Sequence, residues 1–417
     1  MHYNLIVHCS KLGRENYIHL NIPVVIFSLI VRNNYPGEII ISKIKSGQES
    51  VAMTIDLSDY VNDNVNSFKG EIIEFIGEGY VFVYDLNRNQ MLKNLLQEDF
   101  SLIEYIDVSE LLTIFYPTLS NYRLEKIVRV LEIDEKSVDY SDKYIETKLL
   151  YSIIEKCWNK GLNIGLAHLY KLEETTKYLS SQAFIRILRK EVQKAYFEDT
   201  PGSMLNLVER RKNLLDFEME VKNISQEVEL DSNWIVDCFR NNGLLSEKLA
   251  GFEERKSQIL MVEALIKGFT ESVNTIIEAG TGTGKSISYL IPALWWARKY
   301  GQKVIVATHT INLQEQLYFK DLPFLKKILP FTFKTQLLKG RGNYLCLKEF
   351  YRDKWKNELM TEERIVYAAM LNWIEETSTG DLNEIALFHN FGSLKRKFGA
   401  ETADCRPREC YYAKECF

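Results

Sequence analysis

The sequence predicts a mixed α/β protein built from more than one domain. Three observations carry this. Short apolar strand patterns precede helical ones in residues 1–160, long amphipathic helical patterns fill 161–245, and strand–helix alternation returns in 246–340. A chain of 417 residues has room for two or three domains, and 46% hydrophobic residues suffice for real cores.

In the first region, residues 4–8, 23–32, 38–43, 71–76 and 80–84 read as strands, and 90–96, 108–115, 122–131 and 144–156 as helices. Strands first and helices later predict a small mixed sheet with helices packed on it. Residues 180–195 and 209–221 carry the amphipathic pattern of a helical connector. Residues 273–278 read as a short β-branched strand and 303–309 as a buried parallel strand. Residues 341–417 are charged, helical in the middle and bracketed by cysteines.

Net charge is −5, which gives no global signature of a nucleic-acid binder. The average hides an uneven distribution: Lys and Arg outnumber Asp and Glu in 251–350, while 53–146 is acid-rich. The apolar stretch 20–31 is interrupted by Asn21 and Pro23 and is too short to span a bilayer, so no membrane role is expected. The seven cysteines form no compact secreted framework. A reducing cytoplasm is the expected location, and there clustered thiols point to metal rather than disulfides.

Residues 279–286 read Ala-Gly-Thr-Gly-Thr-Gly-Lys-Ser. Glycines let the backbone curl until its N–H groups converge on phosphate oxygens. Lys285 is then the partner of the β/γ-phosphates, and the Ser286 hydroxyl that of Mg²⁺. Ile287, Leu290, Ile291, Leu294 and Trp295 recur at helical spacing behind the loop, so its phosphates would meet the positive end of a helix dipole. The expected cradle is Ala279, Gly280, Thr281, Gly282, Thr283, Gly284, Lys285 and Ser286, with Lys285 and Ser286 also catalytic. Upstream, Gln258 carries an amide donor and acceptor suited to an adenine edge, and Arg255 is placed to stack on or bond the base. Downstream, Thr308, Thr310, Asn312, Gln314 and Gln316 suit either phosphodiester contacts or ordinary helix capping, and taken alone capping is the better reading.

Cys346 follows Gly340-Arg341-Gly342-Asn343-Tyr344-Leu345, and Cys405, Cys410 and Cys416 form a spread triplet near the chain end. Four thiolates suit a [4Fe–4S] cluster or a tetrahedral Zn²⁺. One distant ligand plus a spread triplet favours the cluster, because zinc sites usually offer two tight pairs. Cys9, Cys157 and Cys238 lack such neighbours and read as packing residues.

The glycine loop, Arg255 and Gln258, Thr308-His309-Thr310 with Leu313-Gln314, and the 340–346 motif together resemble the DinG/XPD group of superfamily 2 DNA helicases. The resemblance covers roughly 246–417. It implies a partial RecA-like P-loop domain with an iron–sulfur insert, ATP and Mg²⁺ as cofactors, single-stranded or forked DNA as partner, and 5′→3′ unwinding. More faintly, Tyr105–Leu111 and Tyr116–Leu124 resemble the exonuclease domain fused to such helicases, similar to the polymerase III proofreading subunit. That likeness implies an RNase H-like domain, here degenerate. Two-metal cleavage needs several carboxylates, yet the expected first strand reads Ile6-Val7-His8-Cys9-Ser10 and the second acidic position falls near Asn89-Gln90. Asp142 persists, but Ser137 stands where a general-base histidine is expected. Asp85 and Asp107 read as solvated carboxylates before metal ligands.

The expected domains are therefore 1–160 exonuclease-like, 161–245 connector, 246–345 helicase domain and 346–417 four-cysteine domain. No Asp-Glu pair on an apolar strand follows the loop, and the chain stops one residue after Cys416. The expectation is an incomplete motor, inactive alone, whose remainder would come from a second polypeptide or a continuing frame. The alternatives are a 3′→5′ exonuclease and a non-enzymatic, metal-stapled DNA-binding module.

Overall fold

A computed structural model describes residues 6–8, 23–32, 35–44, 50–56, 72–84, 104–133, 144–198, 231–280, 282–352, 358–389, 391–400 and 405–417. The chain divides into two compact units, one formed by 1–211 with 341–417 and the other by 212–340.

The first unit holds a six-stranded sheet of β1 (Ile6–His8), β2 (Val24–Arg32), β3 (Tyr35–Ile44), β4 (Ser50–Asp56), β5 (Tyr80–Val83) and β6 (Tyr105–Asp107), in the order β1-β4-β3-β2-β5-β6. β2 pairs antiparallel with β3 and parallel with β5, which is itself parallel to β6. Val24, Val25, Ile26 and Phe27 are all buried, as a strand covered on both faces requires. β4 and β6 were not anticipated. The expected strand at 71–76 is instead helical over 72–76, with Ile72 and Ile76 inward and Ile73 outward. The four-residue spacing of the two buried isoleucines is helical, and strand alternation would not bury both alone.

Five helices follow: α1 (Val108–Phe115), α2 (Leu124–Val130), α3 (Ile145–Leu162), α4 (Leu166–Thr175) and α5 (Gln182–Glu198). Asp107 caps α1, its carboxylate accepting from the Ser109 amide at 2.8 Å and the Ser109 hydroxyl at 2.7 Å. Phe184 of α5 knots the core. Its ring meets Phe82 of β5, Phe115 of α1 and Trp158 of α3 edge-on, with centroids 6.2, 5.9 and 5.8 Å away. The expected helices at 90–96 and 209–221 lie outside the described residues.

The second unit is organised by α6 (Lys256–Glu271) and α7 (Lys285–Tyr300), which pack together through Val262, Ile266, Leu290, Ile291 and Leu294. The expected strands at 273–278 and 303–309 are corrected: neither is paired in a sheet among the described residues, and Ile276 is 99% and Ile305 89% exposed. β-branched residues suit a strand only when a neighbour supplies hydrogen bonds and a packing surface, and no described segment does so here.

In the last stretch, α8 (Thr361–Trp373) and α9 (Gly392–Phe398) belong to the first unit. Val366, Tyr367, Met370 and Trp373 join the same core as Phe115 and Phe184. Buried Asn372 fastens the join. Its amide N–H donates to the Ile114 carbonyl at 2.8 Å, so its oxygen faces His168 Nε2 at 3.0 Å. That arrangement makes Nε2–H the donor; burial pulls the His168 pKa down, while Glu375 and the Asn372 bond oppose the fall. No helix among the described residues is long and apolar enough to cross a membrane.

Candidate functional site

The loop 279–286 ends at the N-terminus of α7. Gly284 caps this helix in the left-handed region, with φ 75°, and Gly282 has φ 78°. L side chains avoid both conformations, which is why the loop needs glycine at these two positions. Gly284 is doubly constrained, because a Cβ there would lie 2.1 Å from Gln258 Nε2. Thr283 Oγ1 donates to the Gly280 carbonyl at 2.9 Å and tightens the curl. Thr281 lies outside the described residues.

Lys285 folds back over this curl, its ammonium donating to the carbonyls of Ala279 at 2.9 Å and Gly280 at 2.8 Å. Arg255, just before α6, donates from Nη1 to the Gly282 carbonyl at 2.5 Å. Gln258 on α6 presses against Gly284. The structure thus brings Arg255, Gln258, Ala279, Gly280, Gly282, Gly284 and Lys285 together, although the 20 residues 259–278 separate the two groups in sequence. Two cations and a helix N-terminus are the features that favour negative charge at such a loop. Phosphate oxygens are stronger, charge-assisted acceptors than the carbonyls that now hold Lys285.

Ser286 is half-buried and hydrogen-bonds the hydroxyl of Tyr289. Burial raises the Tyr289 pKa, the Ser286 bond lowers it in part, and nearby Asp321 raises it again. Neither Tyr289 nor Asp321 was singled out from the sequence. The i, i+3 spacing of Ser286 and Tyr289 was the available signal. Downstream, Thr310 caps the helix Ile311–Gln316 by accepting from the Leu313 amide at 3.3 Å, and Thr308 Oγ1 donates to the Thr310 carbonyl at 3.1 Å. Thr310 is thus engaged as the cap, and Thr308 braces the turn before it. Gln314 reaches the Leu338 carbonyl at 3.2 Å, and buried Lys339 pairs with Glu315 at 2.7 Å.

The cysteine region belongs to the first unit. Its 340s strand is pinned by bridges from Tyr344 to Asp381 and from Leu345 to Gly399. Cys346 donates its amide to the Phe398 carbonyl at 2.8 Å. Its thiol pKa is raised, first by burial and also by Cys416; amides of Glu349 and Lys348 oppose the rise. Phe417 packs on Gly380, whose φ of 67° leaves no room for a side chain. Cys405 and Cys410 are half-buried beside the turns at 407–409 and 411–415, and Cys416 is exposed. Among the described residues no three His, Cys, Asp or Glu side chains converge as a metal set. Cys157 and Cys238 are buried packing residues, and burial pushes the Cys238 thiol up to about 12. Cys9 lies outside the described residues.

The sheet corrects the search for nuclease carboxylates. Residues 6–8 form an edge strand paired, among the described residues, with β4, and the middle of the sheet is β3 and β2. β2 reads Val-Val-Ile-Phe-Ser-Leu-Ile-Val-Arg and contains no acidic residue. Asp107 is buried, not solvated, and its carboxylate is committed to capping α1. Asp85, Asn89, Gln90, Ser137 and Asp142 lie outside the described residues.

Residues 255–385 match the DEAD/DEAH box helicase family model. The chain is 29% identical over 289 residues to a protein named 3′-5′ exonuclease DinG of Bacillus subtilis, covering 68% of this chain and 30% of that protein. It is 37% identical over 188 residues to the ATP-dependent DNA helicase YoaA of Haemophilus influenzae, covering 44% of this chain and 28% of the relative. A Staphylococcus aureus 3′-5′ exonuclease DinG is 28% identical over 293 residues, with 68% and 30% covered. The chain spans under a third of the length of these relatives. DinG- and YoaA-type proteins are its homologues.

Proposed function

We propose that this chain carries the ATP-binding front of a DinG/YoaA-type DNA helicase. The observation that carries the reading is the glycine loop: two left-handed glycines, the Lys285 ammonium and Arg255 surround the N-terminus of α7. In that role Lys285 neutralises the β/γ-phosphates, Ser286 supplies a hydroxyl to Mg²⁺, and Gln258 with Arg255 faces the adenine. The DNA partner is single-stranded or forked, and unwinding runs 5′→3′ as in the resembled group. Amide hydrogen exchange tests this directly. Mg²⁺-ADP is expected to slow exchange in 279–290, and unchanged exchange there would remove the assignment.

Cys346, Cys405, Cys410 and Cys416 are the proposed ligands of a [4Fe–4S] cluster. Their all-thiol chemistry and their one-plus-three spacing in the sequence suit iron. When bound, the cluster would staple 341–417. Iron and sulfide in about 4:4 ratio per chain is the expected analysis, and a colourless zinc protein the contrary one.

The second reading is nuclease activity, favoured by the name of the relatives. The absence of any acidic residue from β2, the strand that pairs parallel with β5, opposes it, because two metal ions need several carboxylates. The first unit is proposed as an RNase H-like domain without cleavage. Mg²⁺-dependent digestion of single-stranded DNA by the purified chain is expected to be absent.

A further inference from the structure

Tyr178 sits in a conformation that bulky residues avoid. Its φ is 75°, yet its ring is 69% exposed, so no core packing of the ring explains the strain. The flanks hold it there. Thr176 is fully buried, and two and three residues after Tyr178 the chain bonds Glu110: Ser180 Oγ and the Ser181 amide both donate to Glu110 Oε2 at 2.9 Å. Strained residues held by their surroundings concentrate at ligand clamps.

Two cations lie over the ring at the edge of stacking distance, where an incoming base would take their place and they would meet its phosphates. Lys177 Nζ lies 5.1 Å and Arg364 Cζ 5.8 Å from its centroid. Arg364 is itself braced by the Thr175 carbonyl at 3.4 Å. Beside the ring opens a cavity of about 270 Å³, with Leu359 and Tyr367 as apolar floor and Glu174 as the one acidic wall. Such a volume lies just below the roughly 300–1,000 Å³ of drug-sized sites and suits one planar group. Tyr170 and Tyr351, also exposed, carry Arg189 at 4.6 Å and Lys171 at 5.8 Å over their rings. Residues 170–178 thus take part in four cation–ring contacts, against roughly one strong case per 70–80 residues elsewhere.

Such cations repel a cationic ligand and attract an anionic chain. An exposed ring beside a planar-sized cavity accepts a π-face, which a duplex hides in its stack. We infer that Tyr178, Lys177 and Arg364 form a stacking site for an unpaired nucleotide of a single-stranded polynucleotide. The site is in the first unit and does not rest on the glycine loop binding ATP.

The test uses the full chain without ATP and a fluorescein-labelled oligothymidylate of about 12 nucleotides, followed by anisotropy. Tyr178→Asn removes the ring while tolerating the left-handed backbone, and is expected to weaken binding about tenfold. Tyr178→Phe keeps the ring and is expected to bind within about twofold of the parent. Arg364→Gln is expected to reduce the slope of log affinity against log salt by about 0.7. Tyr178→Asn is expected to leave melting temperature and Mg²⁺-ADP affinity unchanged, which separates this site from the loop. An oligouridylate of equal length distinguishes RNA from DNA, and ring-dependent binding of either supports the assignment. Undiminished binding by Tyr178→Asn, an equal loss in Tyr178→Phe, or no binding by the parent chain at low salt overturns it.

Discussion

At the scale of single residues, charge and backbone conformation decide the site. Gly284 illustrates the second. Alanine there meets a left-handed φ, which costs an L residue roughly 1–2 kcal/mol, and must also displace Gln258. Gly284→Ala is expected to lower the melting temperature and abolish nucleotide binding together, as calorimetry and titration would show. Glu110 illustrates the first. Burial and neighbouring Asp107 raise its pKa, against the lowering effect of bonds from Ser180 and Ser181. The folded chain therefore holds this proton more tightly than the unfolded chain does. Stability from this group is greatest below the unfolded carboxylate range and declines as pH rises through the raised folded value. Glu110→Gln keeps an acceptor for both serines, so it should be at least as stable as the parent above that window. Melting curves between about pH 5 and pH 8 should show a flatter profile for the variant; parallel profiles would disconnect Glu110 from the pH dependence.

At the scale of elements, two side chains hold the first unit together. Phe184→Ala is expected to cost about 3–5 kcal/mol by denaturant unfolding, since its ring touches the sheet, α1 and α3 at once. Asn372→Ala is expected to cost about 1–3 kcal/mol, because it leaves the Ile114 carbonyl and His168 without their buried partner. The helices were legible in the sequence where apolar spacing was strong: α1 matches its expected span, and α3 begins one residue late and runs further. The glycine loop was legible because its backbone needs particular residues. Two strands of the sheet were not. β4 carries the mixed pattern Ser-Val-Ala-Met-Thr-Ile-Asp of a strand beside an edge, and β6 is only three residues long. The misread segment at 71–76 has the β-branched content of a strand with the spacing of a helix. Long-range fastenings such as Asn372 to Ile114 carry no local sequence signal at all.

At the scale of the whole molecule, the helix Thr361–Trp373 shares a core with residues 108–115 and 166–175, although some two hundred residues separate them in sequence. Hydrogen exchange is expected to find these three segments opening together as one cooperative unit; exchange of 361–373 independent of the other two would contradict the shared core. The second unit depends on α6 and α7 to present the phosphate cradle, and its β-branched segments at 273–278 and 303–309 show that strand-forming residues do not make a sheet without paired neighbours. The central claim is that this cradle takes a nucleotide through Lys285. The most direct measurement is titration of a fluorescent ADP analogue with Mg²⁺ into the full chain and into Lys285→Ala. The account predicts saturable binding by the first and at least about a tenfold loss in the second, the share of one charge-assisted contact. Equal affinity in the two proteins would contradict it.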